Sequence, residues 1–129
     1  MSEDMVNHPP HYNNHPSGIE CNEVREHILN SNLSDAYKYC WREGDKDESV
    51  QELRKAIWYL NSEFNRLLNY PSQVMPVLPQ DVEAKHHRIC EFEEDQCLHH
   101  IMLAYIYGSM ESCSRALVTV GDRLDKLNG

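Results

Sequence analysis

The fold is decided by one stretch, Val50-Gln51-Glu52-Leu53-Arg54-Lys55-Ala56-Ile57-Trp58-Tyr59-Leu60. Its apolar residues recur at alternating steps of three and four, and the pattern continues through Phe64 to Leu67. This spacing is typical of an amphipathic helix that buries one face. It predicts a helix over residues 49–69, with Ser49 as its N-cap.

The same spacing recurs near the C-terminus and predicts a helix over residues 111–127. Its apolar residues are Cys113, Leu117, Val120, Leu124 and Leu127. Three further helices are predicted over residues 19–29, 34–42 and 81–107, the second beginning at Ser34 as its N-cap. Since no stretch alternates in the manner of a strand, we expect an all-α protein. It would be a small helical bundle with an extended N-terminal arm and long C-terminal helices.

Prolines divide the chain into segments. They favour an irregular arm at the N-terminus and a Pro-rich linker over residues 71–80. We therefore expect an N-terminal domain over residues 1–70 and a C-terminal helical extension over residues 81–129. The apolar faces of the two longest helices exceed what a small monomer would cover. They predict a homo-oligomer, at least a dimer.

Composition excludes several classes of protein. The net charge of −9 argues against general nucleic-acid binding, which needs concentrated Lys and Arg. No apolar run approaches the length of a membrane span, and the polar N-terminus lacks the apolar core of a signal peptide. We expect a cytoplasmic protein. Its five cysteines are odd in number and lack disulfide-framework spacing, so most should be reduced.

Four residues have spacing that suggests a zinc site: His87 and Cys90, then Cys97 and His100. One continuous helix over residues 81–107 would separate the two cysteines by about 10 Å along its axis. Ligands of one zinc ion cannot span that distance. The sequence therefore predicts no metal site here.

Acidic residues offer an alternative metal site. Glu91 and Glu94 lie on neighbouring helical turns, and Glu23 and Glu26 could supply a second pair of carboxylates for Mg²⁺. A solvated acidic face is the simpler interpretation, because this spacing is common in helices. Both interpretations remain open.

The N-terminal arm contains Val6-Asn7-His8-Pro9-Pro10-His11-Tyr12. Pro holds such a segment extended, which leaves Asn7, His8 and His11 to face a ligand beside the Tyr12 ring. His can donate to a phosphate or transfer a proton near neutral pH. A disordered polar tail is the alternative interpretation.

Basic and aromatic side chains lie together at two further positions in the chain. They are Lys38, Tyr39 and Arg42 in one predicted helix, and Arg54, Lys55, Trp58 and Tyr59 in the next. Cations suit phosphate oxygens and aromatic rings suit the faces of bases. A solvated basic edge with ordinary packing aromatics is the alternative. The chain has no glycine-rich phosphate loop, so any nucleotide site must be of another kind.

These motifs, taken in order, resemble a phage family. They are Val6-Asn7-His8 with His11-Tyr12, Gly18-Ile19-Glu20, Ala36 with Lys38-Tyr39 and Arg42, and Glu52-Leu53 with Lys55-Ala56 and Trp58-Tyr59-Leu60. The family is the domain of unknown function DUF3310, often labelled "nucleotide kinase", and the resemblance covers roughly residues 5–65. Ser34-Asp35-Ala36 stands where the family usually has Gly-Asn-Ala. Asp35 therefore adds a negative charge beside the candidate phosphate-binding residues.

The resemblance implies a phage-encoded nucleotide-binding protein, and a nucleoside monophosphate kinase that uses ATP and Mg²⁺ is the enzymatic interpretation. His8 and His11 would then contact phosphate or transfer a proton. Lys38, Arg42 and Lys55 would neutralise phosphoryl charge. Asn7, Tyr12, Tyr39, Arg54, Trp58 and Tyr59 would bind the nucleotide. Two alternatives are a non-enzymatic protein that sequesters a nucleotide and an acidic protein that inhibits a host protein.

Overall fold

The structure is a computed structural model that describes residues 15–42, 46–71 and 76–129. These residues form six helices and no strand, which confirms the all-α prediction for the described part of the chain. In chain order the helices are α1 (Asn22–Arg25), α2 (Ser31–Trp41), α3 (Lys46–Asn69), α4 (Gln80–Cys90), α5 (Cys97–Tyr107) and α6 (Met110–Asn128).

Four of these helices form a closed bundle. Helix α2 packs on α3, α3 on α6, α6 on α5, and α5 returns to α2. Helices α1 and α4 pack against each other beside the bundle. Two bundle helices come from each side of the proline-rich segment, so the C-terminal helices complete the hydrophobic core that α2 and α3 begin.

The two apolar faces seen in the sequence meet each other within this one chain. From α3, Leu53, Ala56 and Leu60 are buried; from α6, Cys113 and Val120 are buried. The Cys113 thiol donates to the Leu60 carbonyl across the interface at 3.4 Å. The two faces therefore cover each other within one chain, and the predicted homo-oligomer stays a prediction.

Helix α2 begins earlier than predicted. Asn30, not Ser34, is its N-cap, because the Asn30 side chain accepts a hydrogen bond from the Leu33 amide at 3.0 Å. Ser34 is buried inside the helix, and its hydroxyl donates to the Arg25 carbonyl. The N-cap predicted at Ser49 is also wrong, since α3 already includes Lys46. The helix predicted over residues 19–29 is reduced to the single turn α1.

The predicted continuous helix over residues 81–107 is wrong. The chain turns between α4 and α5, and Gln96 adopts the left-handed conformation at φ 62°. The Gln96 side chain donates to the Cys90 carbonyl, and the Glu93 carboxylate accepts from the Leu98 amide at 2.8 Å. Side chains thus hold a reversal that has no glycine or proline of its own.

Two boundaries were predicted well. Helix α5 ends at Gly108, which adopts the left-handed conformation at φ 59° that glycine enters without steric cost. Pro79 precedes α4. None of the helices in the described ranges is long and apolar enough to cross a membrane.

Candidate functional site

Helices α2 and α3 bring two tyrosines face to face. The rings of Tyr39 and Tyr59 stack with their centroids 5.7 Å apart and their planes 11° apart. Trp58 meets Tyr59 edge-on at 5.0 Å, and it is 64% exposed. The two aromatic groups found in separate predicted helices therefore form one continuous surface, and its outer member is open to solvent.

Two lysines converge on the same tyrosine. The Lys38 ammonium lies 4.6 Å from the centre of the Tyr39 ring, and the Lys55 ammonium lies 5.3 Å from it. Both distances are within the range of cation–π attraction. The Tyr39 ring therefore attracts both ammonium groups.

Arg42 is a third cation of this patch, and it shares the carboxylate of Glu52 with Lys55. Glu52 accepts from Arg42 at 3.5 Å and from Lys55 at 3.3 Å, so it ties the end of α2 to α3. We call the six residues of this patch the cation–aromatic surface: Lys38, Tyr39, Arg42, Lys55, Trp58 and Tyr59.

Asp35 lies at the edge of this surface, as its position in the sequence predicted. Its carboxylate is 3.9 Å from the Lys38 ammonium and 3.3 Å from the Arg25 guanidinium. The side chains in these ion pairs are only 22–28% exposed, so solvent screens the pairs only in part. Their main effect is to orient the Lys38 side chain and to reduce the local positive charge.

The remaining predicted residues do not join the cation–aromatic surface. Arg54 is exposed and, among the described residues, makes no ion pair or ring contact with its members. Asn7, His8, His11 and Tyr12 lie outside the described residues. Their predicted approach to Lys38 or Arg42 stays a prediction.

The carboxylates considered for Mg²⁺ do not converge into a group of three or more in the described ranges. Glu91 pairs with Arg88 at 2.5 Å, and Glu23 pairs with Lys85 at 3.2 Å. These contacts favour the solvated acidic face.

A different group of ligand atoms does converge within the described part of the chain. His86, Cys90 and His99 each offer one atom, and these atoms all lie within 4.8 Å of one another. The spacing in the sequence pointed to His87, Cys90, Cys97 and His100, a zinc site was rejected there, and the set with His86 and His99 was missed. The signal was the i, i+4 spacing of His86 and Cys90, but the turn that adds His99 could not be recognised.

Burial sets the protonation of this group. It lowers the pKa of His86 to about 3, with the nearby His99 and His87 acting in the same direction, so this imidazole is neutral near pH 7. Burial also lowers the pKa of His99. Burial raises the pKa of the Cys90 thiol to about 12, and the negative field of Glu93 adds to that effect.

A polar cleft of about 490 Å³ lies on another side of the bundle. Asn30 and Asn32 at the start of α2, Glu63 and Arg66 of α3, and Tyr105 of α5 are among its lining residues. Among the described residues, none of those predicted to bind the nucleotide lines this cleft or two further cavities of about 500 and 180 Å³.

The family model of DUF3310, a protein of unknown function, matches residues 6–61. Residues 6–61 belong to the DUF3310 family. The DUF3310 segment contains α1, α2 and most of α3, together with every member of the cation–aromatic surface. The rest of α3 and the helices α4, α5 and α6 lie outside the match. No curated protein and no solved structure matches the chain.

Proposed function

We propose that this protein binds a nucleotide on the cation–aromatic surface. One observation carries the proposal: two helices stack Tyr39 on Tyr59 and place the ammonium groups of Lys38 and Lys55 over one ring. These residues are distant in sequence, so their convergence is a property of the fold. The same residues belong to the motifs that resemble DUF3310, and that resemblance implies a nucleotide ligand.

The chemistry of the surface divides between the two parts of a nucleotide. Trp58 is 64% exposed and offers a ring on which a base can stack. Lys38, Arg42 and Lys55 offer ammonium and guanidinium donors to phosphate oxygens. The Glu52 carboxylate, which now holds Arg42 and Lys55, would give up part of these contacts when a phosphate binds.

The size of the ligand follows from the charge of the whole chain. A protein with a net charge of −9 repels long polyanions, and a patch of three cations cannot offset that for DNA or RNA. A mononucleotide carries only a few negative charges and can be held by such a patch. A free nucleotide is therefore the proposed ligand.

Binding is tested first, with ATP and the four deoxynucleoside monophosphates as probes in calorimetric titrations. Lys55→Ala and Trp58→Ala should each weaken binding at least fivefold, since they remove a phosphate donor and a stacking face. Lys126→Ala and Tyr107→Ala are matched controls, because both side chains are exposed and lie on other helices. The proposal fails if the dissociation constant of every probe exceeds about 1 mM, which corresponds to a binding free energy of only about 4 kcal/mol.

Catalysis is tested separately, by incubating each monophosphate with ATP and Mg²⁺. If the protein is a phage nucleoside monophosphate kinase, Arg42→Ala and Lys55→Ala should lower phosphoryl transfer at least tenfold, about 1.4 kcal/mol each. Tight binding without transfer would instead favour a protein that sequesters a nucleotide. Neither binding nor transfer would favour a host protein as the partner of the acidic surface.

A further inference from the structure

We propose that His86, Cys90 and His99 form a zinc-binding site that fastens the α4–α5 turn to the bundle. This site is independent of the cation–aromatic surface and of the nucleotide proposal. All three ligands lie outside the DUF3310 match, and Tyr37 of α2, which lies inside it, contacts His86 through its hydroxyl.

The scaffold supplies the three ligands from two helices. His86 and Cys90 are four residues apart in α4 and therefore share one face of that helix. His99 is the third residue of α5, and the reversal at Gln96 brings it back against that face. The rings of His86 and His99 lie almost parallel, with centroids 5.7 Å apart.

His86 is oriented as a zinc ligand would be. Its Nδ1 lies 2.9 Å from the hydroxyl of buried Tyr37, so an Nδ1 proton can be donated to that oxygen. The lone pair then belongs to Nε2, which lies 3.4 Å from the Cys90 sulfur. Nitrogen and sulfur ligands on one tetrahedral zinc are about 3.5 Å apart, given Zn–N of about 2.0–2.1 Å and Zn–S of about 2.3 Å. A hydrogen bond to the remaining ring nitrogen is the usual support of a metal-bound histidine.

His99 supplies the second, independent observation. Its Nδ1 is buried and has no hydrogen-bond partner among the described residues. Buried polar atoms almost always have a partner, and an unpaired one calls for an explanation. A metal ion bound to the lone pair of this histidine would provide it.

The ligand set selects the metal. Two imidazoles and one thiolate suit Zn²⁺, whereas Mg²⁺ and Ca²⁺ require oxygen ligands. The outermost ligand atoms, now up to 4.8 Å apart, would have to approach by about 1 Å to reach tetrahedral spacing. Three protein ligands leave one tetrahedral position for a water molecule. The Cys90 proton is released to solvent when the sulfur binds zinc as a thiolate.

The test uses the full chain after treatment with a chelator. Titration with Zn²⁺ against a chromophoric competitor should give one ion per chain, and Co²⁺ should give a sulfur-to-cobalt charge-transfer band in the near ultraviolet. Cys90→Ser should abolish that band, and both Cys90→Ser and His99→Gln should weaken zinc binding at least a hundredfold. Cys113→Ser and His27→Gln are the matched controls, because they remove a thiol and an imidazole elsewhere, and both should bind zinc normally.

X-ray absorption of the wild-type zinc complex keeps the proposal testable if the variants fail to fold. One sulfur and two imidazole nitrogens around the metal would support the site. A spectrum without sulfur, or with two sulfurs, would overturn it. Folded Cys90→Ser and His99→Gln variants that bind zinc as the wild type does would also overturn it, as would a wild-type chain that binds no zinc.

Discussion

Glu63 is 2% exposed and is held by Arg66, one helical turn further along α3. The guanidinium donates two hydrogen bonds to the carboxylate, at 2.6 and 2.9 Å. Asn30, the N-cap of α2, donates to the same carboxylate at 2.9 Å, and Asn32 donates at 3.3 Å. One buried charge therefore connects the start of α2 to the last third of α3.

Removing the partner of this charge should destabilise the bundle. Arg66→Met keeps the aliphatic part of the side chain but leaves Glu63 without its ion pair, and breaking such a pair costs roughly 3–5 kcal/mol. Because Arg66 is partly exposed, we expect a loss near the lower end of that range. Urea unfolding followed by circular dichroism measures it. Arg54→Met, on the exposed face of the same helix, should change the free energy of unfolding by less than about 0.5 kcal/mol.

The same carboxylate should make stability depend on pH. Burial raises the pKa of Glu63, but hydrogen bonds from Arg66, Asn30 and Asn32 outweigh that effect, and the net pKa lies below the usual 4.5. A lowered pKa means that the charged form stabilises the fold fully above pH 4.5 and that this contribution is lost as the pH falls through the folded-state pKa.

Glu63→Gln isolates this contribution. The variant should be less stable than the wild type at neutral pH, and the difference should shrink as the pH falls below 4.5. Unfolding curves of both proteins at several pH values provide the comparison, since the other carboxyl groups titrate in both. A difference that stays constant with pH would show that Glu63 is not the source of the acid sensitivity.

The packing of α3 on α6 can be tested with two leucines of α3. Leu60 is fully buried at this interface, whereas Leu68 is 56% exposed. Leu60→Ala should lower the free energy of unfolding by about 2–5 kcal/mol, because it leaves a cavity in the core. Leu68→Ala should cost well under half as much. Equal losses at the two positions would contradict the observed packing.

Tyr37→Phe tests the link between the zinc proposal and the bundle. The substitution leaves Nδ1 of buried His86 without its partner, so we expect a loss of about 1–3 kcal/mol in stability. Zinc affinity should also fall by about 10–100-fold, the usual effect of removing a group that orients a metal-bound histidine. Tyr107→Phe, at an exposed position of α5, should alter neither quantity. A stability loss with unchanged zinc affinity would assign Tyr37 a purely structural role.

The sequence by itself determined which face of each long helix is buried. The three-and-four spacing of residues 50–67 follows from helical geometry, and Leu53, Leu60 and Leu67 are buried as it requires. It also grouped Lys38 with Tyr39 on one helix and Lys55 with Tyr59 on the next, whereas the meeting of the two groups is a property of the fold. The buried face of a helix and the grouping of residues on that helix are local properties, so the spacing of residues along the sequence is enough to predict them.

Only the tertiary structure decided which faces meet. A helical repeat shows that a face must be covered, but it does not distinguish a second subunit from another helix of the same chain. Here α6 of the same chain covers α3, and the oligomer stays a prediction. The reversal at Gln96 was equally hidden, because this non-glycine residue at positive φ is held by hydrogen bonds that its own side chain donates to the carbonyls of Cys90 and Glu93 rather than by a backbone preference. That reversal brings His99 to His86 and Cys90, so the three candidate metal ligands come together only in the folded chain.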